Sequence, residues 1–222
     1  LDPSNPDNPF DFVGRMHNEG LDYIKSNRDR LSDNVNQQQL DIVFLSNEFT
    51  FNNLNAIQQN TFNGIASIRR NSQPGRPSFS LSENEYNYLQ DIIALTESID
   101  PEDIDISDIE GYILSIKGLE NQILSSSDLR VDEKQNLLSA ASTARHSVCY
   151  WANEGLIITD APAAAKRKWW EIVIVATVDV VSGVGAGCAA GSTLWGVGVG
   201  VGITAGVATS KGTASLLKWF QE

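Results

Sequence analysis

Charge is distributed very unevenly along this chain, and that limits what it can fold into. Residues 1–165 hold 25 acids and 11 bases, a balance of −14, whereas residues 166–222 hold three acids and five bases, a balance of +2. From Val180 to Ser210 no residue is charged, and ten of the 17 glycines lie between Gly183 and Gly212. This charge-free, Gly-rich run separates an acidic part from an apolar one. We read residues 1–9 as a polar tether, 10–160 as an acidic helical bundle, and 161–222 as a hydrophobic hairpin packed on the bundle or detachable from it.

In the acidic part apolar residues recur at three and four, the period of amphipathic helices. One stripe runs through Phe10, Val13, Met16 or His17, Leu21 and Ile24. A second passes through Leu40, Val43, Phe44 and Leu45, and a third through Leu54, Ile57, Ile65 and Ile68, with the break placed near Thr50. The stretch NSQPGRPS from Asn71 to Ser78 cannot continue a helix, because proline lacks an N–H and clashes with the preceding turn. Beyond it, Ser82 with Glu85 has capping-box spacing before Tyr86, Leu89, Ile92, Ile93 and Leu95. Ser107 with Glu110 repeats it around Ile109, Tyr112, Ile113, Ile116, Leu119, Ile123 and Leu124. A last helix spans about Val131 to Asn153, with Leu137, Leu138, Ala141, Val148 and Trp151 as its core side and Gly155 as its terminator. No period-two segment of any length interrupts this pattern, so the fold class expected is all-α: a multi-helix bundle of up-and-down character with a C-terminal Gly-rich helical hairpin.

In the apolar part Pro162 suits a first helical turn. Gly183, Gly187 and Gly191 are spaced by four, as are Gly198, Gly202 and Gly206. On helices each GxxxGxxxG series makes a ridge without side chains, along which another backbone can approach closely, so Gly187 and Gly202 are expected at close helix contacts. Gly191, Ser192 and Thr193 can form the turn between them. Over Val178 to Ala208 the pattern resembles the glycine-zipper membrane hairpins of channel-like and bacteriocin-type proteins. That resemblance implies membrane contact through 166–210, with Lys166, Arg167, Lys168, Trp169 and Trp170 on one flank and Lys211, Lys218 and Trp219 on the other, where bases and Trp favour the interface. Glu171 and Asp179 oppose deep insertion, at ~2.5–3.5 kcal/mol each. The soluble alternative packs the two Gly-faced helices together beneath the acidic bundle. A third reading follows from Gly196 to Gly202, which also alternates with period two.

Few residues here carry chemistry. His146 and Cys149 stand at i and i+3 of one helix, a spacing open to two metal ligands or to a thiol and a base, but no second pair accompanies them. The acids from Asp100 to Glu110 fail as a calcium loop: counted from Asp103, Asp108 occupies the glycine position and Leu114 the bidentate glutamate position. There is no GxSxG, HExxH or phosphate-cradling GxxxxGK, and no cofactor is expected. A net charge of −12 and a pI near 4.5 exclude generic nucleic-acid binding. Two cysteines, Cys149 and Cys188, are too few for a disulfide scaffold.

Near the start, Asn8-Pro9-Phe10-Asp11, Gly14 and His17-Asn18-Glu19-Gly20-Leu21-Asp22-Tyr23-Ile24 resemble a motif of exported bacterial proteins to which no activity is attached. The resemblance implies bacterial origin and export. The opening LDPSNPDNP fits a polar tether left after removal of an upstream segment. His17, Asn18 and Asp22 are candidates to line one polar surface. The function expected is non-enzymatic: an exported or cell-envelope protein with a binding or structural role, its partner an unknown protein or envelope component. The rivals are a membrane-active protein that inserts the hairpin and an enzyme using His17 or the His146 and Cys149 pair.

Overall fold

A computed structural model describes residues 1–74, 81–98 and 105–153. They form six α-helices: α1 (Asp11–Ser26), α2 (Val35–Asn52), α3 (Leu54–Ile68), α4 (Glu83–Glu97), α5 (Ile106–Ser125) and α6 (Val131–Asn153). Short 3-10 turns, Arg28–Arg30 and Arg69–Asn71, follow α1 and α3. Among the described residues there is no strand, so the chain is an all-α multi-helix bundle. No helix among them is long and apolar enough to cross a membrane. The proposed hairpin, its six zipper glycines, the basic and Trp flank, Gly155 and Cys188 lie outside the described residues.

The bundle is organised around its last helix. α6 packs against α1, α3, α4 and α5, while α2 packs on α1 and α3. Every residue from Asp132 to Cys149 is buried, so α6 has no solvent face over that length. Its middle, Ser139-Ala140-Ala141-Ser142-Thr143-Ala144, is made of small side chains, which let neighbouring backbones come close on several sides. At Gly14 of α1 the approach is closest. A Cβ built there would stand 2.4 Å from the Ser142 carbonyl oxygen and 2.7 Å from its Oγ, so α1 can cross α6 here only where it has no side chain.

Most sequence-predicted elements are present, with three corrections. The break between α2 and α3 falls at Asn53, three residues beyond Thr50. The stripe through Leu40, Val43 and Phe44 is the outer face of α2: Ile42, Leu45 and Phe49 are the buried apolar residues. Because α2 is apolar on both sides, periodicity alone could not tell which side turns inward. The cap of α5 is Asp105 rather than Ser107. Asp105 accepts from the Asp108 N–H at 3.0 Å, and Asp108 accepts from the Asp105 N–H at 2.9 Å, a complete capping box two residues upstream. Ser82 does cap α4, accepting from the Glu85 N–H at 3.1 Å. That box is half-made, since Glu85 turns inward to accept from Asn136 Nδ2 at 2.7 Å.

Candidate functional site

The sequence-predicted polar residues converge where α1 and the segment before it meet α6. Asn8 begins the junction by folding its own backbone: its Oδ1 accepts from the Phe10 N–H at 2.8 Å, an Asx-type turn that launches α1. Its Nδ2 donates to Leu138 O of α6 at 2.9 Å and to Glu120 Oε1 of α5 at 2.6 Å. Asn5 Nδ2 donates to the other Glu120 oxygen at 2.6 Å. Asn5 and Asn8 are both buried, so the segment read as a tether is anchored in the core at two points.

Glu120 and Arg145 are fully buried and paired, with Arg145 Nη2 2.7 Å and Nε 3.2 Å from Glu120 Oε1. A buried ion pair persists only when further hydrogen bonds satisfy its remaining polar atoms. The two Asn amides supply them for Glu120. Arg145 Nη2 also reaches Asp11 Oδ1 at 2.7 Å, and His146 Nε2 approaches the same oxygen at 3.2 Å. Burial works against ionisation of Asp11, but the hydrogen bonds and charges of His146 and Arg145 outweigh it and hold the carboxyl below its ordinary range. An ionised carboxylate only accepts, so His146 Nε2 carries the shared proton.

Further along the interface Ser142 Oγ donates to Asp11 O at 2.8 Å and accepts from the Gly14 N–H at 3.1 Å. Asn18 Nδ2 donates to His146 O at 2.9 Å, and Tyr150 OH donates to Asp22 Oδ1 at 2.9 Å at the exposed rim. The partners Leu138, Ser142, Arg145, His146 and Tyr150 share one face of α6 at helical spacing. His17 is buried, with Nδ1 3.2 Å from Asn18 Oδ1. The polar surface expected from His17, Asn18 and Asp22 is therefore the face of α1 against α6, with only Asp22 fully exposed. Cys149 is buried one turn from His146, and burial pushes its thiol up to about 11, so little thiolate forms at neutral pH.

Sequence reasoning missed Asn5, Asn8, Asp11, Glu120 and Arg145 as members of this junction. One signal was available: Arg145 is the only Lys or Arg between Lys134 and Lys166, and with His146 it interrupts a run of small and apolar residues.

A second buried polar set pins the start of α6. Arg130 pairs with Asp132 at 2.9 Å and with Glu133 at 2.7 Å, and its N–H donates to Glu133 Oε2 at 2.7 Å. Lys134 Nζ donates to Asn71 O at 2.6 Å and Leu124 O at 2.8 Å, tying the end of the α3 turn to the last turn of α5, where a cation suits the orphan carbonyls. Burial pushes Glu85 above its ordinary range, and Glu133 and Asp132 add to this against the opposing bond from Asn136. Among the described residues no group of three or more His, Cys, Asp or Glu is arranged to hold a metal ion. The fold and junction define a helical bundle whose buried polar groups bond mostly to one another across α1, α5 and α6, while Arg145 Nη1 and the Gln135 amide are buried with no hydrogen-bond partner among the described residues. No protein family, curated protein or solved structure matches the chain.

Proposed function

We propose that the chain is a non-enzymatic bacterial protein, exported to the cell envelope or the extracellular space, with a binding or structural role, its helical bundle carrying the apolar segment of residues 161–222. The observation that supports this reading is the use made of the chemistry-bearing side chains. Asp11, Glu120, Arg145 and His146 bond to one another across three chain segments, and the Cys149 thiol is buried and hard to ionise. Groups suited to acid–base or nucleophilic work are thereby committed to holding α1 on α6. Alkylation of the native protein at neutral pH, followed by peptide mass mapping, tests it. Cys149 should remain unmodified until the protein unfolds; alkylation at the rate of a free thiol would overturn the structural assignment of this residue.

A second reading is favoured by the charge-free run from Val180 to Ser210 and its basic and Trp flanks. In it, the glycine-zipper segment inserts into a membrane. Dye release and flotation with liposomes, comparing the intact chain with one lacking residues 166–222, separate the two. Release by the intact chain alone favours the membrane-active reading.

A further inference from the structure

Among the described residues, helix α2 has a second apolar face that no other element covers. While Ile42, Leu45 and Phe49 are buried, Leu40, Phe44 and Phe51 are 62%, 63% and 76% exposed, and Val43 is 38% exposed. Leu40, Phe44, Asn47 and Phe51 follow one another at four, three and four, the seam spacing by which one helix lies along another. At 1.5 Å per residue this seam is about 16 Å long. It carries no charge. The acids of α2 stand beside it and are engaged within the chain: Asp41 accepts from the Ser32 N–H and from Gln37 Nε2, each at 2.9 Å, and Glu48 accepts from Arg30 at 2.8 Å and from the Tyr23 hydroxyl.

We propose that this face is a homodimer interface in which α2 of one copy lies along α2 of a second copy. Two chains of net charge −12 repel over most of their surface, and an uncharged seam lets them approach without placing like charges together. A basic partner would be drawn to the acidic surfaces rather than to an uncharged seam. The one polar seam residue, Asn47, bears an amide that both donates and accepts, so an identical residue can satisfy it across a two-fold axis. Phe44 and Phe51 are 63% and 76% exposed, so each offers part of the roughly 150–250 Å² an aromatic can bury, and the seam buries at most on the order of 1,000 Å² over both copies, the size of weak, transient interfaces. The dimer is therefore a weak, reversible one. This proposal is independent of the binding role proposed above.

Sedimentation velocity of the full chain from 1 to 200 µM, compared with Phe44→Ser and with Leu114→Ser at an exposed site on α5, is the test. The parent and L114S should dimerise with rising concentration, and F44S should weaken dimerisation at least tenfold while retaining the parent's circular dichroism and melting temperature. A parent that stays monomeric at 200 µM overturns the proposal. So does a dimer that F44S leaves intact, which would place the contact elsewhere in the chain. A monomeric parent whose binding to phosphatidylcholine vesicles is lost in F44S would make a lipid surface the occupant instead.

Discussion

The crossing of α1 over α6 at Gly14 and Ser142 gives the sharpest test of the packing. Replacing Gly14 with alanine adds one carbon, which would lie 2.4 Å from the Ser142 carbonyl oxygen and 2.7 Å from both its carbonyl carbon and its Oγ. Two of these atoms belong to the backbone of a helix buried on all sides, so no rotamer change relieves the clash and the helices must separate. Overpacking of this kind costs ~1–3 kcal/mol. Separation also weakens the bonds from the Gly14 N–H to Ser142 Oγ and from Ser142 Oγ to Asp11 O, at ~1 kcal/mol each. Alanine returns ~1 kcal/mol through helix propensity, leaving a net loss of about 2–4 kcal/mol. For a chain of this size that lowers the melting temperature by roughly 5–15 °C. Gly118 of α5 is the control, because a Cβ there meets nothing within 4 Å, so Gly118→Ala should gain up to ~1 kcal/mol. Thermal and urea unfolding by circular dichroism read both. If Gly14→Ala is as stable as Gly118→Ala, the close crossing is wrong.

Three further outcomes follow from the buried polar groups. Arg145→Met strands the Glu120 carboxylate in the core, so urea denaturation should show a loss of ~3–5 kcal/mol, and adding Glu120→Gln should recover part of it. Asp11 has a folded pKa held below its ordinary value, so its stabilisation is present above the ordinary carboxylate range and is lost as pH falls through the folded value. Asp11→Asn should therefore be markedly less stable than the parent at pH 6 and approach it near pH 3 in parallel melts. Glu85 is the opposite case. Its raised pKa makes the charged form a cost above the ordinary carboxylate range, so Glu85→Gln, which keeps an oxygen for Asn136, should match or exceed the parent at pH 7. That difference should shrink on acidification.

How much of this could be read from the sequence depended on whether local pattern or distant partners decided each feature. The helix expected over about Val131 to Asn153 is present with those bounds, since a turn precedes it and its apolar positions from Leu137 to Trp151 keep the helical period. Its central place was not legible, because that depends on what surrounds it. The only local hint is the small-residue run Ser139 to Ala144, whose value appears once Gly14 is seen to cross it. The face of α2 was illegible for the opposite reason, as apolar side chains on both sides leave the period ambiguous. Asp105 displaced Ser107 as the cap of α5 because a cap is chosen by where the helix begins, and helix ends are the least determined part of a periodic pattern. The N-terminal motif could be recognised as a group, but its cause is non-local. Asn8, Asp11, Gly14, Asn18 and Asp22 each meet a residue of α6 more than a hundred positions away. Spacing within α1 therefore holds no record of Arg145 or Glu120. What the spacing does record is that one side of α1 bears two carboxylates, an amide and a glycine where a core helix would carry leucine. Such a side is stable in the interior only if another helix supplies matching donors and acceptors, and Arg145, with His146 beside it, marks where on α6 they are supplied.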